Sequence, residues 1–347
     1  MGHAVRAAAV LDRLARILPL ELTVMAACDR RAWPGSLAAA TRSWHCEPCD
    51  VGVVQSDDVT VDLDATARRL EGWLRELPGI VQREARRLEG SFDLVLGDVP
   101  SAAFAAAKTA QIPCVAVANF SWDWIYAELG FEEAAVAAAE GYAQADLLLE
   151  AAPSGPMAAF GRRREVGLIA RAPAASRRLA RAALRLQGDT RVALMAFQPS
   201  SAPALALPPE REGRIFLVPP GWPDTTSRRD LVEVPAGAGF EDALAAADVV
   251  VGKPGYGLIG DVEASGSRFL YVPRPGFPEN AVLVHHLSGR AATAALAAGR
   301  LARGEWEDDL VALEEARAPA AARADGAQRA AEEIAALLEV DSREQPQ

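Results

Sequence analysis

What most constrains this chain is an alternation that runs through its whole length: short apolar runs, often valine-rich, separated by segments with helical spacing. Such runs are short for helices and too uniformly apolar for strands with one wet face. They read as strands of parallel sheets covered on both sides by crossover helices. In the first half the strands are expected at Leu22–Ala27, Val51–Gln55, Asp93–Gly97, Pro113–Asn119 and Asp146–Glu150. In the second half they are expected at Arg191–Phe197, Arg214–Val218, Leu231–Val234, Asp248–Gly252 and Arg268–Val272. Helical spacing fills Ala65–Leu88, with a break expected at Pro78-Gly79, then Ala102–Ala110, and finally Leu310–Leu338, split by Ala318-Pro319. At 347 residues the chain exceeds one ordinary core. Gly161–Ala175, rich in arginine and interrupted by proline, reads as the connection between two α/β domains, 1–162 and 163–340, followed by a frayed polar tail at 341–347.

One stretch combines these signals with a possible site. From Asp248 to Leu287 the chain reads as a buried strand, a glycine-rich turn (Gly252, Gly255, Gly257), a helix, a second strand and an acidic loop, Phe277-Pro278-Glu279-Asn280. The exposed first-turn N–H groups of such a helix, with the positive end of its dipole, favour a diphosphate or carboxylate. Asp261 and Glu263 could accept bonds from sugar hydroxyls. A purely structural strand–turn–helix corner is the competing reading.

Half of the residues are hydrophobic and 24% are charged, enough for two cores. A formal net charge of -11 argues against nucleic acid or an anionic membrane as the main partner. No apolar stretch reads as a membrane span, and the amphipathic start, with Arg6, Arg13 and Arg16 beside Leu11, Leu14, Ile17 and Leu18, does not read as a signal peptide. A cytoplasmic protein without stable membrane insertion is expected. His45 and Cys46-Glu-Pro-Cys49 have the spacing of half a zinc site, but no second ligand pair completes a tetrahedron, so incidental thiols are the favoured reading. Asp62-Leu-Asp64 is the one Asp-x-Asp spacing and has no other ligand signal around it, so no metal or other cofactor is expected.

Two such domains form the architecture of GT-B glycosyltransferases. Several motifs carry a resemblance to one group: Gly2-His3-Ala4, the run from Asp50 through Val51, Gly52 and Gln55 to Asp57, Asn119-Phe-Ser-Trp-Asp-Trp-Ile-Tyr126, and Lys253-Pro-Gly-Tyr-Gly257. In that order they resemble glycosyltransferase-like proteins related to the N-terminal half of plant L-arabinokinase and, more distantly, glycosyltransferase family 28. The resemblance runs from Gly2 to about Trp306 and does not include the kinase half. It implies a GT-B fold, with two Rossmann-like domains of parallel sheets facing a cleft. The expected activity is metal-independent transfer of a hexosyl or related group from a nucleotide sugar to an acceptor. A non-catalytic binding protein and a GT-B-fold epimerase remain alternatives.

Carried over residue by residue, the donor side would be Lys253, Gly255, Tyr256, Gly257, Asp261, Glu279 and Asn280, with Ser200 contributing a hydroxyl. Asp261 stands where relatives have Glu. Phe197 is followed by Gln198-Pro199-Ser200-Ser201 where relatives have a glycine pair, which removes an amide donor from the phosphate cradle. The acceptor and sugar side would be Asn119, Ser121, Trp122, Asp123 and Tyr126, whose aromatic faces and polar tips suit a sugar. His3 is the expected general base, because imidazole titrates near neutral pH. Asp98 is the alternative cleft carboxylate, with a turn capped by Ser101 as its structural reading. Relatives begin with a strand and GHGFGHA, and this chain starts inside that motif. The expectation is a start set downstream of the true one, leaving the first strand absent.

Overall fold

The computed structural model describes residues 2–28, 30, 33–48, 50–55, 60–171, 173, 175–223, 225–235 and 237–344. The chain divides into two compact units. The first comprises residues up to 56, 61–170 and 325 onward, and the second comprises Thr60 and 171–324.

In the first unit, β3 (Val95–Gly97), β4 (Cys114–Ala118), β5 (Leu147–Ala152) and β6 (Arg163–Leu168) form a parallel sheet in that order, while β1 (Leu22–Met25) and β2 (Thr41–His45) pair in a separate parallel ladder. Every residue of β4 is buried, as expected of a strand covered on both faces. Around the sheet lie α1 (Gly2–Leu14), α2 (Leu63–Leu88), α3 (Ser101–Thr109), α4 (Trp122–Glu128), α5 (Glu132–Tyr142) and α12 (Gly326–Glu344).

Several expectations need correction here. The segment from Val51 to Gln55 makes one isolated bridge, Gln55 to Val61, rather than a strand; Val54 N bonds instead to Thr66 Oγ1 at 3.0 Å, tying the segment to α2. Helix α2 runs unbroken through Pro78 and Gly79, because both are exposed while Thr66, Leu70, Trp73 and Ala85 bury the opposite face. Asp62, half of the Asp-x-Asp spacing, caps that helix, accepting from Ala65 N at 2.8 Å. The arginine run is β6 rather than a linker, with Arg163 on Glu150 of the neighbouring strand, so the passage between units falls at 170–171.

The last correction concerns the C-terminus. Residues 325 onward return to the first unit: Ala327, Ala330, Ala331, Ile334 and Ala335 of α12 share a core with Val10 and Leu14 of α1 and with Val115, Val117, Leu147 and Leu149 of the sheet. The apolar stripe on α12 outweighs the polar character of the end of the chain, and the helix reaches Glu344 where a frayed tail was expected; residues 345–347 lie outside the described residues.

The second unit is a six-stranded parallel sheet, ordered β12 (Thr293–Ala295), β11 (Arg268–Tyr271), β10 (Val249–Gly252), β7 (Arg191–Ala196), β8 (Arg214–Val218), β9 (Leu231–Glu233). It is wound with α6 (Arg177–Ala183), α7 (Phe240–Ala246), α8 (Tyr256–Ser265), α9 (Glu279–Ser288), α10 (Ala298–Arg303) and α11 (Glu307–Glu315). From β7 the chain builds outward to β8 and β9, then crosses back to β10 and continues to β11 and β12. The direction of winding therefore reverses between β7 and β10, whose ends meet at Ala196 and Gly252. Open α/β sheets place ligands outside the carboxyl ends of the strands at such a reversal.

Candidate functional site

Two sets of residues stand at strand ends, one in each unit. In the second unit, β10 ends at Gly252, and a short turn leads to α8. Gly252 is required by packing: a Cβ there would lie 2.7 Å from Leu258 Cδ2 and 3.2 Å from Ala196 Cβ. At Gly255 and Gly257 a Cβ would meet nothing within 4 Å. Gly255 caps α8 in extended conformation and provides no side-chain acceptor, and the space beside Gly255 and Gly257 leaves room next to the turn. The 3-10 turn Pro199–Ala204 follows β7 on the other side of the reversal and carries Ser200 exposed. Tyr256 is buried and Lys253 half-buried at the same corner.

The acidic residues expected beside this corner behave differently. Asp261 is 2% exposed and accepts from Arg171 N at 2.8 Å, Nε at 3.0 Å and Nη2 at 2.5 Å. Burial pushes its carboxyl above the usual range, and Arg171 offsets this only in part. Its oxygens hold the start of the unit rather than a ribose. Glu263 points to α9, pairing with His286 Nε2 at 2.6 Å and Arg290. Asn280 closes the loop before α9, its Oδ1 accepting from Arg274 N at 2.6 Å, and the Arg274 guanidinium lies over the Phe277 ring. Glu279 opens α9 half-buried.

In the first unit, Asp98 follows β3 and Asn119 follows β4. The turn after Asp98 is strained, because Val99, a β-branched residue, has φ of 78°. The Tyr142 hydroxyl donates to Val99 O at 2.6 Å and holds it there. Helix α3 begins at Ser101 with Pro100 as its cap and no side-chain capping bond, so Ser101 does not cap it.

Into this turn α1 sends two side chains one helical turn apart. His3 Nδ1 lies 2.9 Å from Asp98 Oδ1, and Arg6 donates from Nε to Oδ2 at 2.8 Å and from Nη2 to Oδ1 at 2.5 Å. Burial alone would raise the Asp98 carboxyl, but Arg6 and His3 together outweigh it and hold it below the usual range. An ionised carboxylate can only accept, so in the contact with Asp98 it is His3 Nδ1 that carries the proton; Arg6 Nη2 also lies 3.3 Å from that nitrogen. The His3 side chain is 45% exposed and that of Asp98 only 6%. This is the arrangement of a general base with an orienting carboxylate.

The Asn119-to-Tyr126 motif supports this pair more than it offers a sugar surface. Asn119, 4% exposed, donates to Ala151 O and Pro153 O at 2.7 Å each and accepts from Arg6. Ser121 and Tyr126 are fully buried, and the Tyr126 hydroxyl donates to Val51 O. Burial pushes the Tyr126 phenol well above its usual range. Trp122 is half-buried and donates from Nε1 to Asp50 Oδ2 at 2.7 Å, and Asp123 has one buried oxygen without a hydrogen-bond partner.

Sequence reasoning passed over Arg6 and Asp50. The spacing of His3 and Arg6, three apart on a helix, was the available signal for the first; Asp50 stood at the head of a motif but had no partner in sequence. Cys46 is exposed, Cys49 lies outside the described residues, and no group of three metal-ligating side chains occurs among the described residues. Among those residues no helix is long and apolar enough to cross a membrane.

No protein-family model matches the chain. Over 269 residues, 74% of this chain, it is 30% identical to L-arabinokinase of Arabidopsis thaliana, and it spans 26% of that protein's length. Its structure aligns over 100% of its length with 97% of the calicheamicin glycosyltransferase, at 15% identity and a TM-score of 0.60. It also aligns over its whole length with 96% of a Listeria monocytogenes protein described as a UDP-N-acetylglucosamine 2-epimerase, at 14% identity and a TM-score of 0.53. The chain has the GT-B fold, two Rossmann-like domains with parallel sheets, and the likeness to L-arabinokinase carried by its motifs covers three quarters of it.

Proposed function

We propose that this chain is a nucleotide-sugar-dependent glycosyltransferase. The observation that carries the reading is the His3–Asp98 pair, an exposed imidazole whose Nδ1 lies on a buried carboxylate held below the usual range. In the reaction, His3 Nε2 takes the proton of an acceptor hydroxyl as that oxygen attacks the anomeric carbon. The bond from that carbon to the nucleoside diphosphate breaks, and the diphosphate leaves with the bonding pair. The N–H groups at the start of α8, beside Gly255 and Gly257, would receive its growing charge, so the transfer would need no metal ion. The substrate class implies a cytoplasmic enzyme.

The first test is a thermal-shift series with UDP-, GDP-, ADP- and dTDP-sugars, followed by turnover of the stabilising donor with a panel of hydroxylated acceptors. His3→Gln is expected to lower kcat by about 100-fold or more, the usual contribution of a positioned base, with donor affinity unchanged. No stabilisation by any donor, or full activity in His3→Gln, refutes the reading. The Listeria neighbour favours a second reading, epimerisation of the nucleotide sugar itself. That reading predicts a changed sugar configuration, seen by NMR, when the donor is incubated without any acceptor.

A further inference from the structure

The charge beside His3 is not where a simple His–Asp pair would put it. Such a pair works because the carboxylate offsets the positive charge that the ring gains with the proton. Here Asp98 is already neutralised: Arg6 reaches both of its oxygens, at 2.8 and 2.5 Å, in a two-point pairing. The side chains of both partners are largely buried, Arg6 at 10% and Asp98 at 6% exposure, so water does little to weaken the cancellation.

A second carboxylate lies in the same neighbourhood. Asp50 Oδ2 accepts from Trp122 Nε1 at 2.7 Å. Trp122 meets Phe120 edge-on at 5.0 Å and stacks on Tyr126 at 5.6 Å, and Phe120 packs against the His3 ring at 5.6 Å. One row of aromatic rings therefore has His3 at one end and holds Asp50 near the other. The next residue, Val51, is tied to the Tyr126 hydroxyl, which fixes the backbone that carries Asp50. Burial raises the Asp50 carboxyl most, the Trp122 bond and a positive His3 lower it, and a negative Asp98 raises it.

We propose that Asp50 is the counter-charge of His3: a positioning carboxylate, held by the Trp122 indole, that stabilises the imidazolium formed when His3 takes the acceptor's proton. The proposal rests on His3 as the base of the proposed reaction. With Asp98 and Arg6 cancelling, an ionised Asp50 sets a negative charge across the aromatic row from the ring, and proton uptake by His3 gives that charge its counterpart. The other ionisable groups around it are Tyr126 and Tyr142, whose phenols burial keeps uncharged, and Arg69 and Asp123, which act on those tyrosines. Burial raises the Asp50 carboxyl, and a positive His3 acts in the opposite direction. The two groups thus favour each other's charged forms.

The test reads the two titrations directly. Asp50→Asn keeps an oxygen to accept from the indole and removes the charge. The chain has four histidines, so the imidazole resonances of labelled protein can be followed by NMR, and His3→Gln identifies that of His3. The His3 midpoint is expected to fall by about one pH unit in Asp50→Asn, the effect of losing a nearby opposite charge. The acidic limb of the kcat/KM profile should move down with it while the donor KM is unchanged. The reciprocal experiment uses His3→Gln, whose fold is checked by circular dichroism: the Asp50 carboxyl resonance is expected to titrate higher than in the wild type. A His3 midpoint unmoved in Asp50→Asn, or an Asp50 midpoint unmoved in His3→Gln, overturns the proposal. Both readouts are independent of turnover, whereas retained transfer by His3→Gln defeats the base assignment itself.

Discussion

Replacing Arg6 by methionine keeps a long side chain on α1 and withdraws its charge from Asp98. In the wild type Arg6 donates twice to Asp98 and once to Asn119, with both charged side chains at least nine-tenths buried. Removing one partner of such a pair typically costs about 3–5 kcal/mol, because the other is left as an uncompensated buried charge. Against a usual stability of about 5–15 kcal/mol this is a large fraction. With a urea dependence of about 1–3 kcal/mol per molar, the midpoint of the first unit should fall by about 1 M or more. The sign of the pH dependence follows from the lowered Asp98 carboxyl. Its stabilising contribution is complete above the unfolded-state value, about 3.9, and is lost as pH falls through the lower folded value. Without Arg6, burial, already the largest single influence, is no longer outweighed and raises the folded value above the unfolded one, so the variant loses stability as pH rises from about 3.9 through that raised value. The gap between the two proteins is therefore greatest near pH 7 and closes toward acid. Urea unfolding followed by tryptophan fluorescence at pH 7 and pH 4 measures it. A difference below about 1 kcal/mol at pH 7, or one equal at both pH values, would show that Asp98 does not depend on Arg6 for its charge.

Two further variants test the proposed donor corner. Gly257→Glu places a negative charge at the start of α8, where a Cβ meets nothing within 4 Å, so the melting temperature should hold while nucleotide-sugar affinity measured by calorimetry falls about tenfold or more. Unchanged affinity would remove the diphosphate from that helix end. Asp261→Asn should leave donor affinity within about twofold, because the carboxylate is engaged with Arg171; a loss of about tenfold would restore the ribose contact that the motif comparison implied.

Short apolar runs made the parallel strands legible in sequence, and the glycines after β10 made the strand–turn–helix corner legible, because both are local patterns of side-chain size and backbone freedom. Strand β2 and β12 went unread for the complementary reason: Thr41–His45 is polar in composition and Thr293–Ala295 is three residues long, so neither carries a periodic signal. Asn119, Ser121 and Tyr126 were read as sugar contacts from their polar and aromatic character, which a buried hydrogen-bonded role satisfies equally well.

By itself, then, the sequence determined two wound parallel sheets, a glycine-bordered helix start at Gly255–Gly257, and the residue types of an imidazole and a carboxylate. Which groups meet was decided only by the tertiary structure. His3 and Asp98 are 95 positions apart, Trp122 and Asp50 are 72 apart, and Asp261 and Arg171 are 90 apart. Local periodicity states which face of an element is buried but not what it is buried against. The charge state of Asp98 depends on the guanidinium that α1 brings to it, and the availability of Asp261 on the arginine that the chain lays across it.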